Sequence, residues 1–197
     1  PGDTVLDACA GAGGKALLLA AELRGRGRVI AVDPDEGRLA RLAARARRAG
    51  AGCIEIAGPR IPAGLSADRV IVDAPCSELG PLRRGPDARF RLRQGELAQL
   101  PALQLRILEE AARCVRPGGR LVYATCTLRR AENQEVAAAF ERAHPAFTRV
   151  RPGAGWLDES FVRDGFFVAL PHRHGTDGFF AAVYDLPARA GRATTAP

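Results

Sequence analysis

A chain of 197 residues with 47% hydrophobic and 26% charged content is long enough for one substantial core and suits a single soluble domain. It contains no run of 18 apolar residues and no charged n-region followed by an apolar stretch, so neither a membrane span nor a secretory signal is expected and the reading is cytoplasmic. A net charge of +7 fits a polyanionic partner, whereas five cysteines without CxxC spacing argue against a disulfide framework or a structural metal site.

Short β-branched runs alternate with longer Ala/Leu/Arg segments, the βαβ signature of a mostly parallel, doubly wound α/β sheet. In chain order the expectations are a strand at 4–8, a helix at 15–24, a strand at 28–32, a helix at 36–49 and strands at 53–56 and 69–73. A loop then fills 78–95, and a helix at 96–115 is stopped by Pro117-Gly118-Gly119. A strand at 120–125, a helix at 132–143, a loop over 151–178 and a last strand at 179–185 complete the order. Residues 1–186 thus form one domain, with 187–197 a disordered tail. The absence of methionine and the opening Pro1-Gly2 suggest a piece of a longer protein.

Directly after the first expected strand, Cys9-Ala10-Gly11-Ala12-Gly13-Gly14-Lys15 forms a glycine-rich turn into a helix. Small residues there let a ligand approach the backbone, and the helix N-terminus offers free N–H groups. The second strand ends at Asp33, where a carboxylate can accept hydrogen bonds from two ribose hydroxyls. The pair points to a nucleoside-type cofactor; a dinucleotide, or an ordinary tight βα turn with a helix cap, would give a similar pattern.

Two further strands run into Asp73-Ala74-Pro75-Cys76-Ser77 and Thr125-Cys126-Thr127. In an open α/β sheet ligands bind outside the carboxyl ends of the strands, and a strand order of 3-2-1-4-5 puts both thiols and Asp73 beside the cofactor. Paired thiols suit methylation of cytosine at carbon 5. That carbon is a poor nucleophile until a thiolate adds to carbon 6, and a second group must later remove the proton from carbon 5. Asp73 can hydrogen-bond the N3/N4 edge of the base. Free cysteines are most often structural, which is the reading for Cys53 and Cys114, while Cys9 packs beneath the cofactor loop.

Taken together, DACAGAGGK at 7–15, VDAPCSELG at 72–80, RRGPD at 83–87, YATCT at 123–127, AEN at 131–133 and TDGFF at 176–180 resemble the RsmB/Sun-type RNA 5-methylcytosine methyltransferases along nearly the whole chain. The resemblance implies a class I S-adenosylmethionine-dependent methyltransferase fold with a Rossmann-like sheet. It implies that S-adenosylmethionine is held by the 9–15 loop and Asp33, with Arg38, Asp73 and Pro75 at the same site. It further implies that Cys126 is the nucleophile, that Cys76 assists release of the methylated RNA, and that Lys15 and Asp73 line the catalytic pocket. Lys15 is the only lysine among 29 basic residues, and it falls on that motif. Two departures stand out: Ala12 where the family usually has proline, and Ala57-Gly58-Pro59-Arg60 where an aspartate commonly meets the adenine. The additional N-terminal RNA-binding parts usual in the family are also missing from this sequence.

The 83–93 loop gathers five arginines around Phe90, a composition suited to phosphate contacts and base stacking, so Arg83, Arg84, Arg89, Phe90 and Arg91 are the expected RNA contacts. The RNA is expected to be rRNA rather than tRNA, and the protein a monomer. His172 and His174 form an HxH without further ligands, and no metal is expected. Two other classes compete: an impaired cofactor- or RNA-binding module that has lost its adenine contact, and an NAD-dependent enzyme, which leaves the paired cysteines without a task.

Overall fold

The computed structural model describes residues 1–86, 94–153, 155 and 157–188. Among these residues nine strands form one sheet in the order β3-β2-β1-β4-β5-β9-β8-β7, with β6 also paired to β9. The strands are β1 Thr4–Asp7, β2 Arg28–Val32, β3 Ile54–Gly58, β4 Ala67–Asp73, β5 Val115–Thr125, β6 Thr148–Val150, β7 Val162–Arg163, β8 Phe166–Ala169 and β9 Phe179–Asp185. Strands β1 to β5 run parallel, and β6, β8 and β9 enter antiparallel. The helices are α1 Gly14–Leu23, α2 Glu36–Arg48, α3 Gln94–Ala112, α4 Gln134–Ala143 and the short α5 Pro171–His174.

Successive strand residues face opposite sides of the sheet, and both sides are covered. Val5, Val29 and Ala31 pack with Ala16, Ala20 and Leu23 of α1 and Leu39 and Leu42 of α2. Their neighbours Leu6, Ile30 and Val32 join Val70, Val72 and Leu121 against Leu108 of α3 and Val136 and Phe140 of α4. Burial on both faces explains why these strands are apolar throughout rather than alternating.

The structure corrects the expectations in four places. Pro117-Gly118-Gly119 does not stop a helix: α3 ends at Ala112, and the three residues lie inside β5. There they make a bulge, because Ala67 pairs with Val115 and Arg69 already pairs with Arg120. Gly118 has φ 80, and a Cβ on Gly119 would come within 2.8 Å of the Arg116 carbonyl, so neither position suits a larger residue. The expected helix at 132–143 is broken at Asn133, with a short 3₁₀ turn before it. The 151–178 segment is not a loop throughout but carries β7, β8 and α5; two- and four-residue strands are too short to show a period. Strand β6 was not anticipated. The expected tail from 189 onward lies outside the described residues.

Pro101 sits inside α3 and cannot donate to the carbonyl of Leu97. The Arg129 guanidinium takes that carbonyl instead, Nη1 to O at 3.2 Å, so the proline is accommodated by a side chain from the far side of the site.

Candidate active site

A cavity of about 550 Å³ opens over the carboxyl ends of β1, β2 and β4, the position where open α/β sheets bind ligands. Its lining includes Cys9, Ala10, Gly11, Ala12, Gly14 and Lys15 from the first turn, Asp33 and Arg38 from the second, and Asp73, Pro75, Cys76 and Cys126. Of the residues expected at a cofactor site only Gly13 is turned away. Its φ is 88, and a Cβ there would stand 2.1 Å from Leu42 Cδ1. Only a glycine allows the turn to lie this close to α2.

The turn is held by backbone bonds to its neighbours. Ala10 N–H donates to the Val32 carbonyl at 2.9 Å, and Ala8 N–H to that of Ile71 at 3.0 Å. Asp33, nearly fully buried, accepts from the Gly11 and Asp35 amides at 2.8 and 2.9 Å. Each carboxylate oxygen retains a lone pair, so Asp33 can serve the loop and still accept from a ribose. Arg38 lines the cavity wall while its guanidinium pairs with Asp35 at 3.3 Å. No carboxylate follows β3; Pro59, Arg60 and Ile61 line that side.

Two carboxylates, Asp73 and Asp7, interact with the single lysine. Lys15 is paired directly with Asp73, both groups partly open to the cavity. Asp7, at the end of β1, is 1% exposed, and neither of its oxygens meets a donor in hydrogen-bond geometry. Burial pushes its carboxyl up to about 7, offset in part by the Cys9 amide and by Lys15. Burial and the carboxylates of Asp7, Asp33 and Asp73 push the Cys9 thiol up to about 12, so Cys9 is a neutral packing group at physiological pH.

Cys76 and Cys126 meet, Sγ to Sγ, at 3.3 Å. The pair loses one proton readily and the second with difficulty. With Cys76 as donor, the hydrogen bond holds the Cys126 thiol below its ordinary value, against burial and the charges of Asp73 and Glu78. The same hydrogen bond, together with burial, drives Cys76 upward. Cys53 and Cys114 lie away from the cavity, and burial raises the Cys114 thiol.

Several lining residues were not singled out in the sequence. Leu103, Ile107 and Glu110 form one face of α3, spaced i, i+4, i+7, and Glu78 stands beside the cysteines in a left-handed conformation, φ 53. The helix spacing was available as a signal; the direction it faces was not. Arg83 and Arg84 do not line the cavity. Arg84 is paired with Asp177, and Arg83 Nη2 reaches the Gly175 carbonyl at 3.5 Å, which joins this loop to the segment after α5. Arg89, Phe90 and Arg91 lie outside the described residues. His174 belongs to α5 and not to a surface loop: Nδ1 accepts from the Leu170 amide and Nε2 faces the Ser160 carbonyl, with the ring stacked on Phe161.

The chain is 39% identical over 196 residues to the probable ribosomal RNA small subunit methyltransferase B of Bacillus subtilis, covering 90% of this chain and 42% of that one. It superposes on the crystal structure of PH0851 with a TM-score of 0.83 at 36% identity, covering 93% of this chain and 42% of that one. It also superposes on NSun6 from Pyrococcus horikoshii, solved with SFG, with a TM-score of 0.76 at 27% identity, covering 93% of this chain and 48% of that one. The fold is therefore that of the S-adenosylmethionine-dependent methyltransferases, and the chain spans less than half the length of these relatives. The family model for 16S rRNA methyltransferase RsmB/F matches residues 1–185, from before β1 to the end of β9. With the whole sheet and both cysteine-bearing strand ends inside that match, the chain belongs to the RsmB/F family of 16S rRNA methyltransferases.

Proposed function

We propose that this chain is the catalytic part of an S-adenosylmethionine-dependent enzyme that methylates carbon 5 of a cytosine in RNA, with small-subunit rRNA as substrate. The observation that carries the reading is the 3.3 Å pair of thiols beside the Lys15–Asp73 ion pair at the mouth of the cavity. The residues present fit the cofactor: a glycine turn, a buried carboxylate with acceptor capacity left, and a cavity of a size usual for small-molecule sites. When bound, S-adenosylmethionine supplies a methyl group on a sulfonium. Asp33 and the 9–15 turn hold the nucleoside, and Pro59 and Ile61 give its base an apolar wall in place of the carboxylate that the family commonly has there.

In this reading Cys126, already the more acidic thiol of the pair, adds to carbon 6 of the cytosine. Asp73, oriented by Lys15, holds the N3/N4 edge and stabilises charge on the ring as the bond forms. Once carbon 5 is methylated, Cys76 gives its own proton to solvent and, as thiolate, takes the remaining proton from carbon 5; the electrons of that C–H bond re-form the double bond between carbons 5 and 6, and Cys126 leaves as a thiolate. In this order the first ionisation belongs to the attacking thiol, with Cys76 as the hydrogen-bond donor that favours it, and Cys76 stays neutral until the release step.

The test compares Cys126→Ala with Cys76→Ala on small-subunit rRNA with labelled S-adenosylmethionine. Cys126→Ala is expected to abolish methyl transfer and leave no covalent complex, while Cys76→Ala accumulates enzyme bound to methylated RNA, stable on a denaturing gel. Bisulfite sequencing of wild-type product identifies the carbon. A trapped complex with Cys126→Ala and none with Cys76→Ala would exchange the two roles.

A further inference from the structure

The AEN segment at 131–133 has no part in the chemistry above, yet it is the most densely hydrogen-bonded place beneath the two cysteines. The Glu132 side chain is fully buried. Its Oε2 accepts from the Ser77 amide and from Gln104 Nε2, both at 2.9 Å, and its Oε1 accepts from Arg129 at 3.0 Å. Gln104 Nε2 also reaches the Pro75 carbonyl at 2.9 Å. Pro75 and Ser77 flank Cys76, so the carboxylate grips that cysteine from both sides. On the other strand, Asn133 Oδ1 accepts from Thr125 Oγ1 at 2.6 Å, and its Nδ2 donates to the Thr127 carbonyl at 2.9 Å. These two residues flank Cys126. A direct bond of 2.8 Å between the Ser77 and Thr127 hydroxyls joins the two segments.

A buried carboxylate is a costly way to fill space, since taking a charge out of water is offset only by well-placed partners, and an apolar side chain of similar volume is often as stable or more so. What the carboxylate adds is direction: it fixes the donors of Ser77, Gln104 and Arg129, from three segments, at set distances. We infer that Glu132, acting with Asn133, is a positioning residue that sets the separation of Cys76 and Cys126, holding the thiols close enough for one to hydrogen-bond the other. The inference rests on the proposed reading of Cys126 as nucleophile, because a fixed thiol pair matters only if one of its members must ionise.

The test follows alkylation of Cys126 by iodoacetamide against pH, read peptide by peptide on the chain without RNA or cofactor. In Glu132→Ala the Cys126 midpoint is expected to rise by about one pH unit or more, the shift given by losing one hydrogen bond to a charged group. Glu132→Gln, whose amide oxygen can keep the Ser77 and Gln104 donors, is expected to stay near wild type. Phe140→Leu, in the core away from the cysteines, is expected to lower the unfolding midpoint and leave the profile alone. Should Glu132→Ala not fold, Thr127→Val removes the link to Ser77, along with a longer 3.4 Å bond from the Arg129 amide, and is expected to move the midpoint the same way. An unshifted Cys126 midpoint in whichever of these two variants folds, or an equal shift in Phe140→Leu, overturns the inference. If Cys126→Ala retains methyl transfer, the functional reading falls, and the alkylation result stands or falls separately.

Discussion

Replacing Asp7 by asparagine removes a charge and changes the shape of the side chain very little, so its effect on stability isolates the ionisation of one buried group. The carboxyl has an ordinary value of 3.8 and is raised to about 7 in the fold. An acid raised in this way binds its proton more tightly folded than unfolded, so stability is lost as pH climbs from about 4 to about 7 and is level above that. The accumulated cost reaches roughly 4 kcal/mol above pH 7, of which about 2 kcal/mol accrues between pH 5.5 and 8. The asparagine amide brings its own unmet hydrogen bonds, a penalty that does not vary with pH and drops out of the slope. Urea unfolding of both proteins from pH 5.5 to 8.5 should therefore show Asp7→Asn gaining on wild type by about 2 kcal/mol across the interval. A difference that is flat with pH would mean that Asp7 ionises normally in the fold, and the argument from its burial would fail.

Two other substitutions probe the site's framework. Asp33→Ala removes the acceptor for two loop amides and the proposed ribose contact, and calorimetry should show S-adenosylhomocysteine binding weakened about tenfold or more; unchanged affinity removes Asp33 from the cofactor site. Gly80→Ala places a Cβ 2.0 Å from the Gly178 carbonyl and 2.6 Å from that of Cys126. Because all the atoms met are backbone, methyl transfer should fall at least tenfold, a cost of about 1.4 kcal/mol or more, while S-adenosylhomocysteine affinity stays near wild type; unaltered transfer would show that the segments can part without moving Cys126.

How far the sequence reached depended on what each signal encodes. Strands β2 and β9 were legible to the residue because RVIAV and FFAAVYD are apolar runs bounded by clear breaks. The cavity residues on the turns after β1, β2, β4 and β5 were legible because those turns follow strand ends, and the parallel order brings the ends together. The Pro117-Gly118-Gly119 bulge was misread because proline and glycine signal a break in regular structure without saying whether a helix or a strand is interrupted. The network under the cysteines was not legible at all. Glu132 and Gln104 are 28 residues apart, and a buried Glu cannot be told from a solvated one by its neighbours in sequence. Asp7 was equally hidden, since its weakened acidity comes from burial, a fact of packing alone.

Strand β9 lies between β5 on one edge and β6 and β8 on the other, although it comes last of the nine in the chain. During synthesis β5 must wait with an open edge until Asp185 has been added, because its neighbour on that side is still missing. The hairpin of β7 and β8 likewise has nothing to dock on before then. Until residues 126–185 have been made, the edge of β5 that β9 covers has no partner in the chain. Folding is completed by the arrival of one strand that joins three others, and a ribosome pause anywhere in that interval would lengthen the period in which two such chains can pair with each other through β5.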